Sequence, residues 1–219
     1  MNIGGPVATR LPVVILAGSK VKEEEDLEIW RSGARTGTGG ITPAAPAIVL
    51  HEPKYPHNVG QIVRLASAYG IGQVWYSGDR IRRALGDRLP REERMRRYDD
   101  VFLINHPDPL ARLCEAVPGA QPVAVELRPG SETLVDFIHP GNISGSNEGG
   151  APIYVFGPED GSLPGPVLKR CHRFVVIPAF ECLNLANSVA TVLYDRVAKM
   201  PVESRPSIRD RRARAGVQA

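Results

Sequence analysis

The chain has 219 residues, of which 42% are hydrophobic and 23% charged, and its formal net charge is +3. This composition is that of an ordinary globular protein, and no apolar run reaches the ~18 residues that a membrane-spanning helix needs. Three cysteines without a CxxC pair or a His/Cys ligand spacing favour neither a zinc site nor a disulfide framework. With no signal-peptide pattern at the start, we expect a cytoplasmic protein without a bound metal.

Residues 1–45 are predicted to be an N-terminal extension, partly disordered, that precedes a regular domain at 46–200. A short apolar segment at 11–16 is followed by a polar connector with an acidic cluster at 23–28 and several glycines. Such a connector is expected to form a loop or a poorly ordered segment. The remaining residues, 201–219, are predicted to be a basic C-terminal tail.

From Ala47 onward, apolar stretches alternate with segments that can be helical. The apolar stretches lie at 47–51, 72–76, 101–104, 122–127, 152–156 and 173–177. Strands that alternate with helices predict an α/β fold, with a mainly parallel sheet and helices on both faces.

Two helices are strongly marked by their apolar spacing. After Asn58, residues 62, 65, 66 and 69 are apolar at helical intervals and a glycine follows. After Asn184, a similar stripe runs to Met200 and a proline stops it. Asparagine is among the best N-cap residues, so Asn58 and Asn184 are candidate caps.

Positive charge is concentrated in two arginine-rich segments. Residues 80–97 hold eight arginines and three acidic residues, and residues 205–214 hold five arginines and one acidic residue. This localisation favours a surface that faces a polyanion, and arginine suits fork-like phosphate contacts. The alternative is a solvated helix face followed by a disordered tail.

Three short motifs follow predicted strands. The first is NVGQIVRLASAYG at 58–70, the second is FGPEDGSL at 156–163, and the third is IP at 177–178 followed by CLNLANS at 182–188. No G-x-G-x-x-G sequence follows the first strand, so a Rossmann nucleotide site loses its best support. Since α/β proteins bind ligands at the carboxyl ends of parallel strands, the motifs predict a ligand site there.

In this order and with these separations, the motifs resemble the SpoU (TrmH-like) family of SPOUT-class RNA 2′-O-ribose methyltransferases, over roughly 47–200. The resemblance implies a C-terminal trefoil knot, S-adenosyl-L-methionine as cofactor, RNA (tRNA or rRNA) as substrate, and a homodimer. It implies no metal and no membrane. The apolar helix after Asn184 is a candidate dimer interface, with core packing as the alternative.

The resemblance assigns catalysis to Arg64, Asn58, Glu159 and Asn184. Arg64 would activate the ribose 2′-hydroxyl. Because a guanidinium stays protonated, polarising the hydroxyl and holding the oxyanion is easier for it than acting as a base. Glu159 would orient Arg64 or Asn58, or contact the cofactor. The alternatives are a surface arginine, two helix caps and an exposed turn acid.

By the same resemblance, three loops would hold the cofactor, largely through backbone groups. The residues assigned to it are Glu126, Leu127, Gly157, Gly161, Ile177, Pro178, Cys182 and Leu183. Many family members carry Ser-Leu-Asn where this chain has Cys182-Leu183-Asn184. A thiol is a poor hydrogen-bond partner, so the serine's role transfers to Cys182 only as a backbone contact.

The arginine-rich segments would supply phosphate contacts that do not depend on RNA sequence. The arginines assigned to RNA are Arg80, Arg82, Arg83, Arg94 and Arg97. Two alternative functions stay open. One is methylation of a base nitrogen, which needs a carboxylate base near the acceptor; the other is a non-catalytic RNA-binding member of the fold.

Overall fold

The computed structural model describes residues 28–31, 34–38, 41–85, 101–141 and 150–207. Its strands are β1 (Glu28–Arg31), β2 (Ala34–Thr38), β3 (Ala47–Leu50), β4 (Gln73–Tyr76), β5 (Phe102–Asn105), β6 (Gln121–Val125), β7 (Glu132–Thr133), β8 (Pro152–Phe156) and β9 (Arg173–Val176). Its helices are α1 (Pro56–Ala68), α2 (Arg80–Leu85), α3 (Pro109–Ala116), α4 (Gly165–Leu168) and α5 (Leu185–Ala198), and a 3-10 turn follows at Val202–Ser204.

All nine strands form one sheet in the order β2-β1-β5-β4-β3-β8-β6-β9-β7. Seven neighbouring strands of this sheet, β5-β4-β3-β8-β6-β9-β7, pair in parallel. At the β5 end, β1 pairs antiparallel with β5, and β2 pairs antiparallel with β1. The predicted α/β fold with a mainly parallel sheet is confirmed.

The central strands are buried on both sides. Every residue of β3, β4 and β8 is buried, as expected for parallel strands that helices cover on both faces. Such strands are continuous apolar runs in the sequence, and the six predicted runs are confirmed as β3, β4, β5, β6, β8 and β9.

Helices cover each face of the sheet with a separate apolar core. On one face, Ile48 and Leu50 of β3 belong to a core that includes Ile62 of α1 and Val189 of α5. On the other face, neighbours in the same strands, such as Val49, pack in a core with residues of α3. The apolar stripe of α5 is therefore buried within its own chain. This agrees with core packing, which is the alternative to a dimer interface for this helix.

Helix α1 begins earlier than predicted. Tyr55 is its N-cap residue and Pro56 its first residue, a position that suits proline because the missing N–H has no helical partner there. Asn58 thus lies inside the first turn, and its predicted capping role is wrong. Asn184 does cap α5: its Oδ1 accepts hydrogen bonds from the backbone N of Ala186 (2.8 Å) and Asn187 (3.4 Å).

The loop predicted for the polar connector is wrong where β1 and β2 form. Strand β1 pairs with both β2 and β5, and these hydrogen bonds cannot be predicted from the local sequence. Residues 1–27 lie outside the described part of the chain, and the domain boundaries at 45 and 200 stay predictions. At the start of the predicted tail, Arg205 donates to the carbonyls of Met200 (3.0 Å) and Ala198 (2.8 Å) near the end of α5.

Within the described ranges, the structure contains no helix that is both long and apolar enough to cross a membrane.

Candidate functional site

The predicted site residues follow four strands that are neighbours in the sheet. Strand β8 lies between β3 and β6, and β6 lies between β8 and β9, all in parallel. Their carboxyl ends therefore meet at one edge, where the segments 51–55, 126–131, 157–164 and 177–184 follow β3, β6, β8 and β9. The sheet topology brings the three sequence motifs together.

A chain of hydrogen bonds connects one residue from each motif. Asn58 Nδ2 donates to Glu159 Oε1 at 2.7 Å, and Asn184 Nδ2 donates to Asn58 Oδ1 at 3.0 Å. These contacts span 101 and 126 residues of sequence. Since a carboxylate only accepts hydrogen bonds, the contact with Glu159 fixes which end of the Asn58 amide is the nitrogen.

Glu159 accepts three hydrogen bonds from donors at, and just before, the start of α1. Its Oε2 accepts from the backbone N of Lys54 at 2.7 Å, and its Oε1 accepts from the backbone N of Tyr55 at 3.3 Å as well as from Asn58. A carboxylate beside a helix N-terminus is also favoured by the helix dipole. Asn58 is only 1% exposed, so this polar chain is built into the base of the site.

Glu126 ties the loop after β6 to the loop after β8. Its Oε2 accepts a hydrogen bond from the backbone N of Leu163 at 3.0 Å, and its carbonyl accepts one from Ser131 Oγ at 3.0 Å. A Cβ added to Gly157 would lie 3.4 Å from the backbone N of Leu163. That distance is an ordinary van der Waals contact, so the start of the loop after β8 packs against its end on either side of Gly161.

The loop after β9 presents a largely exposed surface. Ile177 packs partly against the core, whereas Pro178 and Cys182 are exposed. Leu183 is 41% exposed and Leu127, on the neighbouring loop, is 75% exposed. The eight residues assigned to the cofactor thus lie on three loops that follow adjacent strands.

Arg64 is not joined to the polar chain. It lies six residues after Asn58, which is about 9 Å further along the helix axis. Its side chain is exposed, and it makes no hydrogen bond or ion pair with any residue that the structure describes. Glu159 orients Asn58, one of the options expected from the sequence, and does not contact Arg64.

The arginines assigned to RNA divide into two groups. Arg94 and Arg97 lie outside the described residues. Arg82 and Arg83 donate to Asp79 at 3.1 and 3.3 Å, and these hydrogen bonds, with the positive charges, lower the pKa of the Asp79 carboxyl. Arg80 instead pairs with Asp160.

Sequence reasoning missed two polar clusters. One joins Lys54 and Arg80 through Asp160. In the other, His139 is fully buried, with Nδ1 2.7 Å from the Tyr154 hydroxyl and Nε2 2.9 Å from Asp195. Burial, together with the charges of Lys199 and Arg196, lowers the pKa of His139 although Asp195 acts to raise it. Glu159 and Asp160 are adjacent in a turn sequence, and only folding shows that they face different partners.

In the parts of the chain that the structure describes, no group of three or more His, Cys, Asp or Glu side chains is arranged to hold a metal ion.

The fold and these contacts define an α/β protein with a candidate ligand site at the carboxyl edge of its sheet. The sequence profile of the SpoU rRNA Methylase family matches residues 45–194. The chain belongs to this family. No curated protein matches its sequence.

Solved structures share the fold at low sequence identity. The A. aeolicus TrmH/SpoU tRNA modifying enzyme is 19% identical, with 78% of this chain and 84% of that one covered and a TM-score of 0.58. The AdoMet-bound rRNA methyltransferase from Sinorhizobium meliloti is 20% identical over 74% of this chain, with a TM-score of 0.53. A TrmH-family protein from Porphyromonas gingivalis is 22% identical over 68% of this chain, also with a TM-score of 0.53. This chain spans 59% and 58% of the last two proteins.

Proposed function

We propose that this protein transfers a methyl group from S-adenosyl-L-methionine to a ribose 2′-hydroxyl of tRNA or rRNA. The observation that carries the proposal is the hydrogen-bonded chain Glu159–Asn58–Asn184, which unites the three motifs at one edge of the sheet. Membership of the SpoU rRNA Methylase family supports the same activity.

The three loops suit a cofactor with both polar and apolar parts. Leu127, Ile177 and Leu183 offer apolar side chains, and the backbone groups of the same loops offer hydrogen-bond donors and acceptors. The residues proposed to hold the cofactor are Glu126, Leu127, Gly157, Gly161, Ile177, Pro178, Cys182 and Leu183. S-adenosylmethionine supplies an electrophilic methyl group bound to a sulfonium sulfur.

Arg64 is proposed to donate hydrogen bonds to the ribose 2′-oxygen. Its guanidinium stays protonated, so it polarises the hydroxyl and stabilises the negative charge that develops on oxygen. An RNA phosphate oxygen is proposed to accept the released proton and pass it to solvent. The exposure of Arg64 and the absence of a described partner for it leave the guanidinium available to substrate.

Glu159 is proposed to position Asn58 and not to remove a proton. Its two oxygens already accept three hydrogen bonds, so proton transfer to it would disrupt the start of α1. Methylation of a base nitrogen needs an available carboxylate base, and the bonding of Glu159 disfavours that alternative.

The family resemblance also supports a C-terminal trefoil knot and a homodimer, which are part of this proposal. Because the α5 stripe is buried in its own chain, an interface would use exposed apolar residues. Tyr194 on α5 is 65% exposed and Phe180 in the loop after β9 is fully exposed. By the same resemblance, a second copy seated there is proposed to complete the site.

The test is methyl transfer from radiolabelled S-adenosylmethionine to unfractionated tRNA and to rRNA. A 2′-O-methyl group blocks alkaline cleavage, so label in alkali-resistant dinucleotides would confirm ribose methylation, whereas label in mononucleotides would show base methylation. The Arg64→Lys variant keeps the positive charge but replaces the guanidinium's fork of donors, so a loss of methyl transfer in it would support the proposed role of that fork. Calorimetry that detects RNA binding but no S-adenosylmethionine binding would instead favour the non-catalytic alternative.

A further inference from the structure

Asp160 holds two cations from different parts of the chain. Its carboxylate lies 3.1 Å from Lys54 Nζ and 3.1 Å from Arg80 Nη1. Lys54 precedes α1, Arg80 begins α2, and Asp160 follows β8. The three side chains are 39%, 49% and 39% exposed, so the cluster lies at the surface.

This cluster adjoins the proposed catalytic residues. The backbone N of Lys54 donates to Glu159, the residue before Asp160. The Lys54 ammonium also lies 5.3 Å from the centre of the Tyr55 ring, and that ring stacks on His57 at 5.5 Å. Cations with exposed aromatic rings close to one of them are a combination with which proteins bind phosphates and unpaired bases of single-stranded RNA.

We propose that Lys54 and Arg80 form a binding site for one phosphodiester of the RNA, beside the nucleotide to be methylated, and that Asp160 occupies this site until RNA displaces it. The substrate class rests on the proposed function. A phosphate offers the same kind of acceptor oxygens as a carboxylate, and arginine binds either with its fork of N–H donors.

The exchange is feasible because the ion pairs are weak. Pairs that are this exposed contribute little to stability, so Asp160 swings away at small cost when a phosphate arrives. Hydrogen bonds and charge interactions with Asp160 raise the pKa of Lys54, and those with Lys54 and Arg80 lower the pKa of Asp160, so Lys54 and Asp160 form an ionised pair near neutral pH until a phosphate replaces the carboxylate.

The test measures equilibrium binding of fluorescently labelled, unfractionated tRNA to the full chain by anisotropy, without cofactor, between ~50 and ~200 mM salt. Asp160→Asn should tighten binding roughly two- to tenfold at low salt, because no carboxylate competes. Lys54→Gln with Arg80→Gln should weaken binding and reduce the salt slope by about 1. In that double variant, Asp160→Asn should lose its effect.

Asp108→Asn is the matched control for charge alone. Asp108 pairs with Arg170 at 2.8 Å with both side chains 43% exposed, and it lies at the N-terminus of α3, where asparagine also caps well. Its variant should change tRNA affinity less than twofold. Equal gains from Asp108→Asn and Asp160→Asn would overturn the proposal.

Two further results would overturn it: an undiminished Asp160→Asn gain when Lys54 and Arg80 are replaced, or no tRNA binding by the wild-type chain. Methyl transfer is measured separately, so the two proposals can fail independently. Binding that follows the expected pattern without methyl transfer supports the phosphate site and rejects the proposed function. Methyl transfer together with an unchanged tRNA affinity in Asp160→Asn supports the proposed function and rejects the phosphate site.

Discussion

Replacing Asn58 by alanine tests whether the polar chain at the base of the site is structural as well as functional. The substitution removes the 2.7 Å hydrogen bond to Glu159 and the 3.0 Å hydrogen bond from Asn184. A hydrogen bond to a charged group contributes roughly 1.5–3 kcal/mol. The bond from Asn184 contributes less, because that side chain is exposed and water replaces its partner. We therefore expect Asn58→Ala to lower the free energy of unfolding by about 2 kcal/mol.

Asn58→Asp sharpens the test because it keeps the shape of the side chain. It places a second carboxylate at hydrogen-bond distance from Glu159, where like charges repel. At pH 7 it should therefore be less stable than Asn58→Ala, and acidification should restore part of the loss as one carboxyl takes up a proton. Gln61→Ala, on the exposed side of the same helix, is the control and should change stability by less than ~0.5 kcal/mol.

The assay is urea unfolding followed by circular dichroism, with linear extrapolation to water. Combining Asn58→Ala with Glu159→Gln should give a loss that differs from the sum of the single losses by about 1 kcal/mol, because the two residues are in direct contact. A loss below ~0.5 kcal/mol for Asn58→Ala, or wild-type stability for Asn58→Asp at pH 7, would refute the reasoning.

Three other predictions follow from single residues. Arg64→Lys should reduce kcat about 10²-fold while urea stability changes by less than ~0.5 kcal/mol, since the described structure gives Arg64 no partner. Burial lowers the native pKa of His139 below its ordinary value of 6.5, so near that pH the unfolded chain binds a proton that the folded chain does not. The free energy of unfolding should therefore fall as the pH drops through ~6.5, and His139→Gln should remove that dependence. Exposed Cys182 should react with iodoacetamide before buried Cys171, whose pKa burial raises to about 12, and S-adenosylmethionine should protect Cys182.

Each of these predictions has a contrary result. If Arg64→Lys lowered the free energy of unfolding by as much as the free-energy equivalent of its loss in kcat, the arginine would have a structural role. The same acid sensitivity in wild type and His139→Gln would place the titrating group elsewhere. Alkylation of Cys182 at an unchanged rate with bound S-adenosylmethionine, by mass spectrometry, would argue that the loop after β9 does not contact the cofactor.

The parallel part of the fold can be predicted from the sequence because strands that are buried on both faces consist of consecutive apolar residues. Strands such as β3 and β8 are continuous apolar runs, and few other structures need them. The short strands β1 and β2 have no such run, since EIWR and ARTGT owe their pairing to the edge strand beside them. For them, tertiary contact outweighs local propensity.

Helix boundaries and site contacts were harder to predict for different reasons. Asparagine is a common N-cap, which makes Asn58 a candidate for that role, whereas Pro56 is the better signal for the first residue of α1. The membership of Asn58, Glu159 and Asn184 in one site followed from motif order. The sequence does not show which of these side chains touch, or that Asp160 turns towards Lys54 and Arg80. Both depend on the geometry of side chains that lie about a hundred residues apart in the chain.

The antiparallel pairing of β1 with β5 has a consequence for any shortened form of this protein. Without Glu28–Arg31, the N–H and C=O groups of β5 that face β1 would lose their hydrogen-bond partners. An uncovered strand edge is a template on which another chain can add its own strand. Strands β1 and β2 therefore cover this edge of the parallel sheet, and we expect their removal to promote self-association at high concentration before it changes the candidate site.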